Sequence, residues 1–141
     1  MLLQLHNSKF YSHKLLPNII DPTNAYNVDE TGFCFNKLPT RSYVSDNNIR
    51  GGFKQNKTRL SLLSGGNMAG ERLKPLVIGK AKRPRAFGSR DITSLPVYYE
   101  AQDNAWVSSQ IFWHWFLEHF IVEMEQRYGP DFYVYLILDN C

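Results

Sequence analysis

A chain of 141 residues, 43% hydrophobic and 21% charged, has the size and composition of one compact domain. Its 14% aromatic content excludes a disordered or low-complexity protein. No apolar run approaches the roughly 18 residues of a membrane helix, and residues 1–6 lack the basic start and cleavage site of a secretory signal, so a soluble, non-secreted protein is expected. Cys34 and Cys141 form neither a disulfide framework nor a CxxC zinc motif, which points to a reducing compartment.

The net charge of +3 conceals an asymmetry. Residues 41–90 hold twelve basic and two acidic side chains, a net +10, whereas the rest holds four basic and eleven acidic, a net −7. A basic middle between acidic flanks favours a polyanionic partner over a solvated face with no particular use.

The first 24 residues read as a partial helical lead-in and residues 25–141 as the core. Scattered apolar residues from Ser8 to Ile20 predict a short helix that stops before Pro17, then a connector through Asp21-Pro22. Residues 25–35 alternate with period two, which places Tyr26, Val28 and Glu30 on one face of a strand and Asn27, Asp29 and Thr31 on the other. Apolar segments 58–64 and 73–79 flank Gly65-Gly66-Asn67-Met68-Ala69-Gly70, predicting a β-hairpin across a glycine-rich loop. The GxxxxG spacing there is no nucleotide loop, because Glu71-Arg72 stands where Lys and Ser/Thr would be needed.

A helix is predicted from Ser109 to Tyr128, with Ser108 as N-cap and Gly129-Pro130 as the stop. Ile111, Phe112, Trp115, Phe116, Phe120 and Met124 follow helical spacing and require a sheet to cover them, while Glu118, Glu123, Glu125 and Arg127 supply the wet side. The continuous apolar run Phe132-Tyr133-Val134-Tyr135-Leu136-Ile137-Leu138 predicts a strand buried on both faces, parallel to the strand that carries Asp29. The fold class is therefore α/β.

Asp139 follows that buried strand at its carboxyl end, the place where open α/β sheets hold their chemistry. Side by side, the two strands would let Asp29 and Asp139 converge on Mg²⁺ or Mn²⁺; otherwise Asp139 is a turn residue followed by Asn140. Alternation sends Glu30 to the opposite face, towards an inter-element salt bridge or solvent.

Four stretches, Tyr26-Asn27-Val28-Asp29-Glu30-Thr31-Gly32-Phe33, Lys74-Pro75-Leu76-Val77-Ile78-Gly79-Lys80, Ala105-Trp106-Val107-Ser108 and Leu136-Ile137-Leu138-Asp139-Asn140-Cys141, carry a resemblance. In this order they resemble the DDE superfamily endonuclease domain of pogo/Tigger-type transposases, a group that includes jerky and centromere protein B-like host proteins. The resemblance implies a ribonuclease-H-like mixed sheet with flanking helices. It also implies metal-dependent DNA strand cleavage and transfer, with Asp29 and Asp139 as catalytic carboxylates holding Mg²⁺ or Mn²⁺. Asn27 and Asn140 are their expected hydrogen-bonding neighbours. The family's third acidic residue and its amino-terminal helix-turn-helix have no counterpart in these 141 residues, so an incomplete core is expected, one that binds nucleic acid without cleaving it. A domesticated, non-enzymatic nuclear DNA-binding or interaction protein is the alternative. Oligomerisation belongs to the intact transposase, and no membrane partner is expected.

Arg50, Lys54, Lys57, Arg59, Lys80, Lys82, Arg83 and Arg85 are the candidate phosphate contacts. Lys80-Ala81-Lys82-Arg83-Pro84-Arg85 reads equally as a nuclear import signal, a phosphate strip or a solvated loop. His114 and His119, five apart, lack the i, i+4 separation of a helical metal pair. Trp106, Trp113 and Trp115 are expected as core and helix-packing residues rather than base-stacking platforms, because they cluster around a helix that must be buried, and Cys34 as a buried thiol.

Overall fold

The computed structural model describes residues 20–37 and 58–138 in full and residues 2–6 and 9–13 as backbone. Seven strands form one mixed sheet: β1 (Leu2–His6), β2 (Lys9–His13), β3 (Ala25–Phe33), β4 (Leu60–Asn67), β5 (Leu76–Gly79), β6 (Tyr98–Ala101) and β7 (Tyr133–Leu138), in the spatial order β2-β1-β7-β3-β4-β5-β6. The α/β expectation agrees with this sheet and its helix. The helix runs as α1 (Ser109–Trp115), a π-helical turn (Phe116–Phe120) and α2 (Ile121–Tyr128). Among the described residues the other helical elements are three short 3-10 turns, Pro22–Asn24, Arg85–Phe87 and Ile92–Ser94.

Two sequence expectations fail in the strands. The helix expected before Pro17 is replaced over Lys9–His13 by a strand, which pairs antiparallel with β1; residues 14–19 lie outside the described residues. Scattered apolar positions could not separate the two, since the pairing partner is a remote edge: β1 adds antiparallel to β7. The glycine-rich loop is also shorter than expected, because β4 runs on through Gly65, Gly66 and Asn67 and the chain turns only at Met68-Ala69-Gly70. Gly65 and Gly66 pair with Val28 and Asn27 of β3.

The other strand expectations hold. β3 and β4 are antiparallel, as are β4 and β5, while β3 and β7 are parallel through Ala25↔Tyr135, Tyr26↔Leu136, Asn27↔Ile137 and Val28↔Leu138. Since β5 and β6 are also parallel, β3, β5, β6 and β7 all run in one direction, and the carboxyl ends of β3, β5 and β6 lie together with the amino end of β4, while Leu138 of β7 is level with Val28.

The helix begins where Ser108 Oγ accepts the Ile111 N–H at 3.3 Å, and it stops at Gly129, whose φ of 85° suits glycine. Its apolar face, Trp115, Phe116, Phe120, Ile121 and Met124, packs on Tyr26, Val28, Leu63, Leu76, Ile78, Val134 and Leu136. Phe112, Phe116 and Phe120 form a near-parallel ladder with centroids 6.0 and 5.5 Å apart. Burying each such side chain is worth about 1.5–3 kcal/mol, more than local propensity supplies over the same turn. Trp115 is in this core, but Trp106 and Trp113 are exposed, contrary to expectation, and so is Cys34. Clustering near a buried helix in sequence does not place a ring on its buried face.

Candidate metal and nucleic-acid site

Alternation along β3 separates two carboxylates onto opposite faces of the sheet. Tyr26 and Val28 are buried beneath the helix, whereas Asn27, Asp29 and Thr31 are exposed on the other side. On that open face a cleft of about 900 Å³ is lined by Asn27, Asp29, Ser64, Gly65, Gly66 and Arg72, among others. Gly66, across from Asn27, helps set its shape, since a Cβ there would strike the Glu71 carbonyl; Gly65, across from Val28, faces the helix side, where a Cβ would strike the Asn27 carbonyl and the Val28 side chain. Backbone therefore approaches backbone closely there, and no side chain fills the floor beside Asn27. The double glycine was visible in the sequence, but its place within a strand was not.

Asp29 pairs with Ser64 across the strands, and its Oδ1 accepts the Glu30 N–H at 2.7 Å. An exposed carboxylate beside amide and hydroxyl oxygens is the donor chemistry that suits Mg²⁺ or Mn²⁺. Among the described residues no group of three His, Cys, Asp or Glu side chains could hold a metal ion. Asp139 and Asn140, expected beside Asp29, lie outside the described residues. The last described β3–β7 pair is Val28↔Leu138, the residues immediately before Asp29 and Asp139.

On the helix side, Glu30 Oε1 lies 3.6 Å from Arg59 Nη2, which is the inter-element pair expected of it. Arg59 is built into the fold. Its guanidinium sits against Gly32, where any Cβ would collide with it, and over the Trp106 ring at 3.6 Å from the centroid. Arg59 Nη2 donates to Ser61 Oγ at 3.4 Å, and the buried Ser61 hydroxyl donates to the Ala105 carbonyl at 2.7 Å.

The other basic candidates divide in three. Lys80, Lys82 and Arg85 are exposed just beyond β5. Arg83 is exposed too, but it donates to the Gly88 and Arg90 carbonyls at 3.1 and 3.2 Å and so closes its own loop. Arg50, Lys54 and Lys57 lie outside the described residues.

The histidines gain a neighbour relation that sequence spacing hid. Widening the helix at Phe116–Phe120 brings residues five apart together, with the His114 and His119 rings 6.0 Å from each other. Both nevertheless pack: His114 Nδ1 is 2.9 Å from Glu100 Oε1, and His119 stacks on Tyr98 at 3.7 Å. Burial, with His114 beside it, holds the His119 imidazole below its ordinary value.

The family model described as DDE superfamily endonuclease matches residues 57–141, a stretch that includes Asp139 but not Asp29. The chain is 41% identical over 110 residues to the Jerky protein of Mus musculus, covering 77% of this chain and 19% of that one. It is 38% identical over 117 residues to the mouse Tigger transposable element-derived protein 4, covering 80% and 22%. It is also 38% identical over 73 residues to CENP-B homolog protein 2 of Schizosaccharomyces pombe, covering 51% and 14%. The chain thus spans about a fifth of the length of the first two relatives. No solved structure matches it.

Proposed function

The chain belongs to the DDE superfamily endonuclease family, in its pogo/Tigger-type branch, and from that premise we propose that residues 25–141 form a ribonuclease-H-like core which binds DNA. In this reading Asp29 and Asp139 together hold Mg²⁺ or Mn²⁺ on the open face of the sheet. The observation that supports it is the parallel register ending at Val28↔Leu138. One more step of that pairing would set the two aspartates side by side on the face opposite the helix.

The chemistry a bound divalent cation supplies at such a site is neutralisation of charge on the attacking and leaving oxygens of an in-line displacement at phosphorus. The chain's own residues do the rest. Asp29, steadied by the Glu30 N–H, presents a fixed carboxylate; Asn27 and Asn140 orient the two acids by hydrogen bonding; Lys80, Lys82 and Arg85 hold the phosphate backbone in register. Among the described residues no group of three His, Cys, Asp or Glu side chains could hold a metal ion, and two carboxylates would bind ions weakly, so our reading of these 141 residues is DNA binding without appreciable cleavage. The exposed basic run 80–85 and the relationship to transposon-derived proteins support a nuclear location.

The test is Mn²⁺ titration and DNA-cleavage assay of the purified chain beside Asp29→Ala. Weak Mn²⁺ binding lost in the variant, with DNA affinity unchanged, is the expected result. Robust Mg²⁺-dependent cleavage that Asp29→Ala abolishes would overturn the non-cleaving part. A variant with unaltered Mn²⁺ binding would remove Asp29 from the site.

A further inference from the structure

Trp106 is 52% exposed, yet its ring is held by the groups beneath it. Its ring rests on the Arg59 guanidinium, which is held by Glu30 and Ser61 and seated on the bare backbone of Gly32. Among the described residues Arg59 Nε is buried there without a hydrogen-bond partner. The residue before the tryptophan, Ala105, is fully buried with a φ of 51°, the one non-glycine residue with positive φ among those described. Three hydrogen bonds pin this turn: Ala105 N–H to the Gln102 carbonyl at 2.8 Å, Trp106 N–H to Gln102 Oε1 at 3.0 Å, and Ser61 Oγ to the Ala105 carbonyl. A strained backbone and an unpaired buried N–H both cost free energy, and what they secure is one orientation for a half-exposed ring.

The ring's place in the fold indicates a partner. It follows β6 at the end of the sheet where β3 and β5 also end, which is where Lys80, Lys82 and Arg85 follow β5 and where the exposed Phe33 ends β3. Fixed aromatic surface amid exposed cations is the combination that holds unpaired nucleotides, the cations meeting phosphates and the ring a base. A guanidinium behind the ring adds positive potential and removes the rotamer freedom that binding would otherwise have to freeze.

We propose that Trp106, backed by Arg59, is a stacking platform for an unpaired base of the bound DNA, so that Arg59 acts by positioning the ring and not by contacting phosphate. This rests on the DNA-binding reading above, and it adds a preference for DNA with unpaired nucleotides. Anisotropy titrations of the full 141-residue chain would compare a blunt duplex with the same duplex bearing a four-nucleotide single-stranded overhang that contains 2-aminopurine.

The wild-type chain should favour the overhang and quench 2-aminopurine. Trp106→Ala should weaken overhang binding by between about fivefold and 150-fold while leaving blunt-duplex affinity unchanged. Trp106→Phe should keep most of the preference, and Arg59→Ala should lose it while retaining blunt-duplex affinity. Equal wild-type affinity for the two duplexes, absence of quenching, or a parallel loss on both duplexes in a Trp106 variant that melts like wild type would each overturn the platform. Because quenching is read on the wild-type chain, the test survives a variant that does not fold. Failure of the wild-type chain to bind either duplex would instead overturn the DNA-binding reading, and the platform with it.

Discussion

Asn67 shows how a single side chain can close several elements at once. Its Nδ2 donates to the Thr23 carbonyl at 2.9 Å and to Glu71 Oε2 at 2.7 Å, and its Oδ1 accepts the Glu71 N–H at 2.8 Å. Glu71 in turn pairs with Arg127 at 3.2 Å, and Tyr128 donates to the Thr23 carbonyl at 3.0 Å, so the end of the helix is tied to the starts of β3 and of the β4–β5 turn. Asn67→Ala removes the acceptor of the Glu71 N–H and one of two donors to the Thr23 carbonyl, which keeps the Tyr128 hydroxyl, at a position that is itself nearly buried. A loss of about 1–3 kcal/mol in denaturant-derived stability is expected, with no change in the unfolding slope. Gly32→Ala acts differently, because its new methyl group meets a guanidinium that is also in contact with the Trp106 ring. Overpacking of this kind costs roughly 1–3 kcal/mol. Urea unfolding should show that loss together with increased solvent quenching of tryptophan fluorescence, and an unchanged midpoint would show that Arg59 swings aside freely.

At the scale of the element, the helix has both a packing consequence and a proton consequence. Met124 is fully buried one turn after Phe120, so Met124→Ala should cost about 2–5 kcal/mol by opening a cavity between helix and sheet, measured by chemical denaturation. The π-helical turn at Phe116–Phe120 brings His119 against Tyr98 and near His114. Burial and His114, with Lys74 adding to them, hold its folded pKa down, while Glu100 and Glu118 oppose them. In the unfolded chain His119 takes its proton near pH 6.5, and in the folded chain only at lower pH. Between those values the unfolded state binds more protons, so this contribution to stability is complete above about pH 6.5 and is lost as pH falls through the folded value. The melting temperature should therefore drop on acidification below about pH 6.5, and the drop should shrink in His119→Phe, which keeps the aromatic stack. An identical pH profile in the variant would exclude His119 as the source.

Across the whole molecule, the strand directions bring the carboxyl ends of β3, β5 and β6 and the exposed cations after β5 to one end of the sheet. If about five side chains neutralise phosphates there, log K for DNA should fall against log salt with a slope near −4 to −5. A slope near zero would remove phosphate contact from the basic middle. No helix among the described residues is long and apolar enough to cross a membrane.

The strand that carries Asp29, the helix from Ser108 to Gly129 and the buried strand that ends at Leu138 were legible in the sequence because each has a local signature: a period of two, a cap with helical spacing, an unbroken apolar run. The faces of β3 followed from alternation alone, and with them the opposite fates of Asp29 and Glu30. Family membership was legible as well, from four motifs in order. What local signals could not carry was pairing between distant segments. Lys9–His13 became a strand because β1 finds the edge of β7, Gly65 and Gly66 joined β4 because Asn27 and Val28 lie across from them, and His114 met His119 because the helix widens over the sheet. Trp106, read as core from its neighbours, was turned outward by Ala105 and seated on Arg59, a residue 47 positions away. Sequence by itself determined which residues alternate, cap and cluster, since those properties depend on neighbours along the chain. Only tertiary structure decided which residues share an edge, because that depends on the register and direction of strands brought together from far apart.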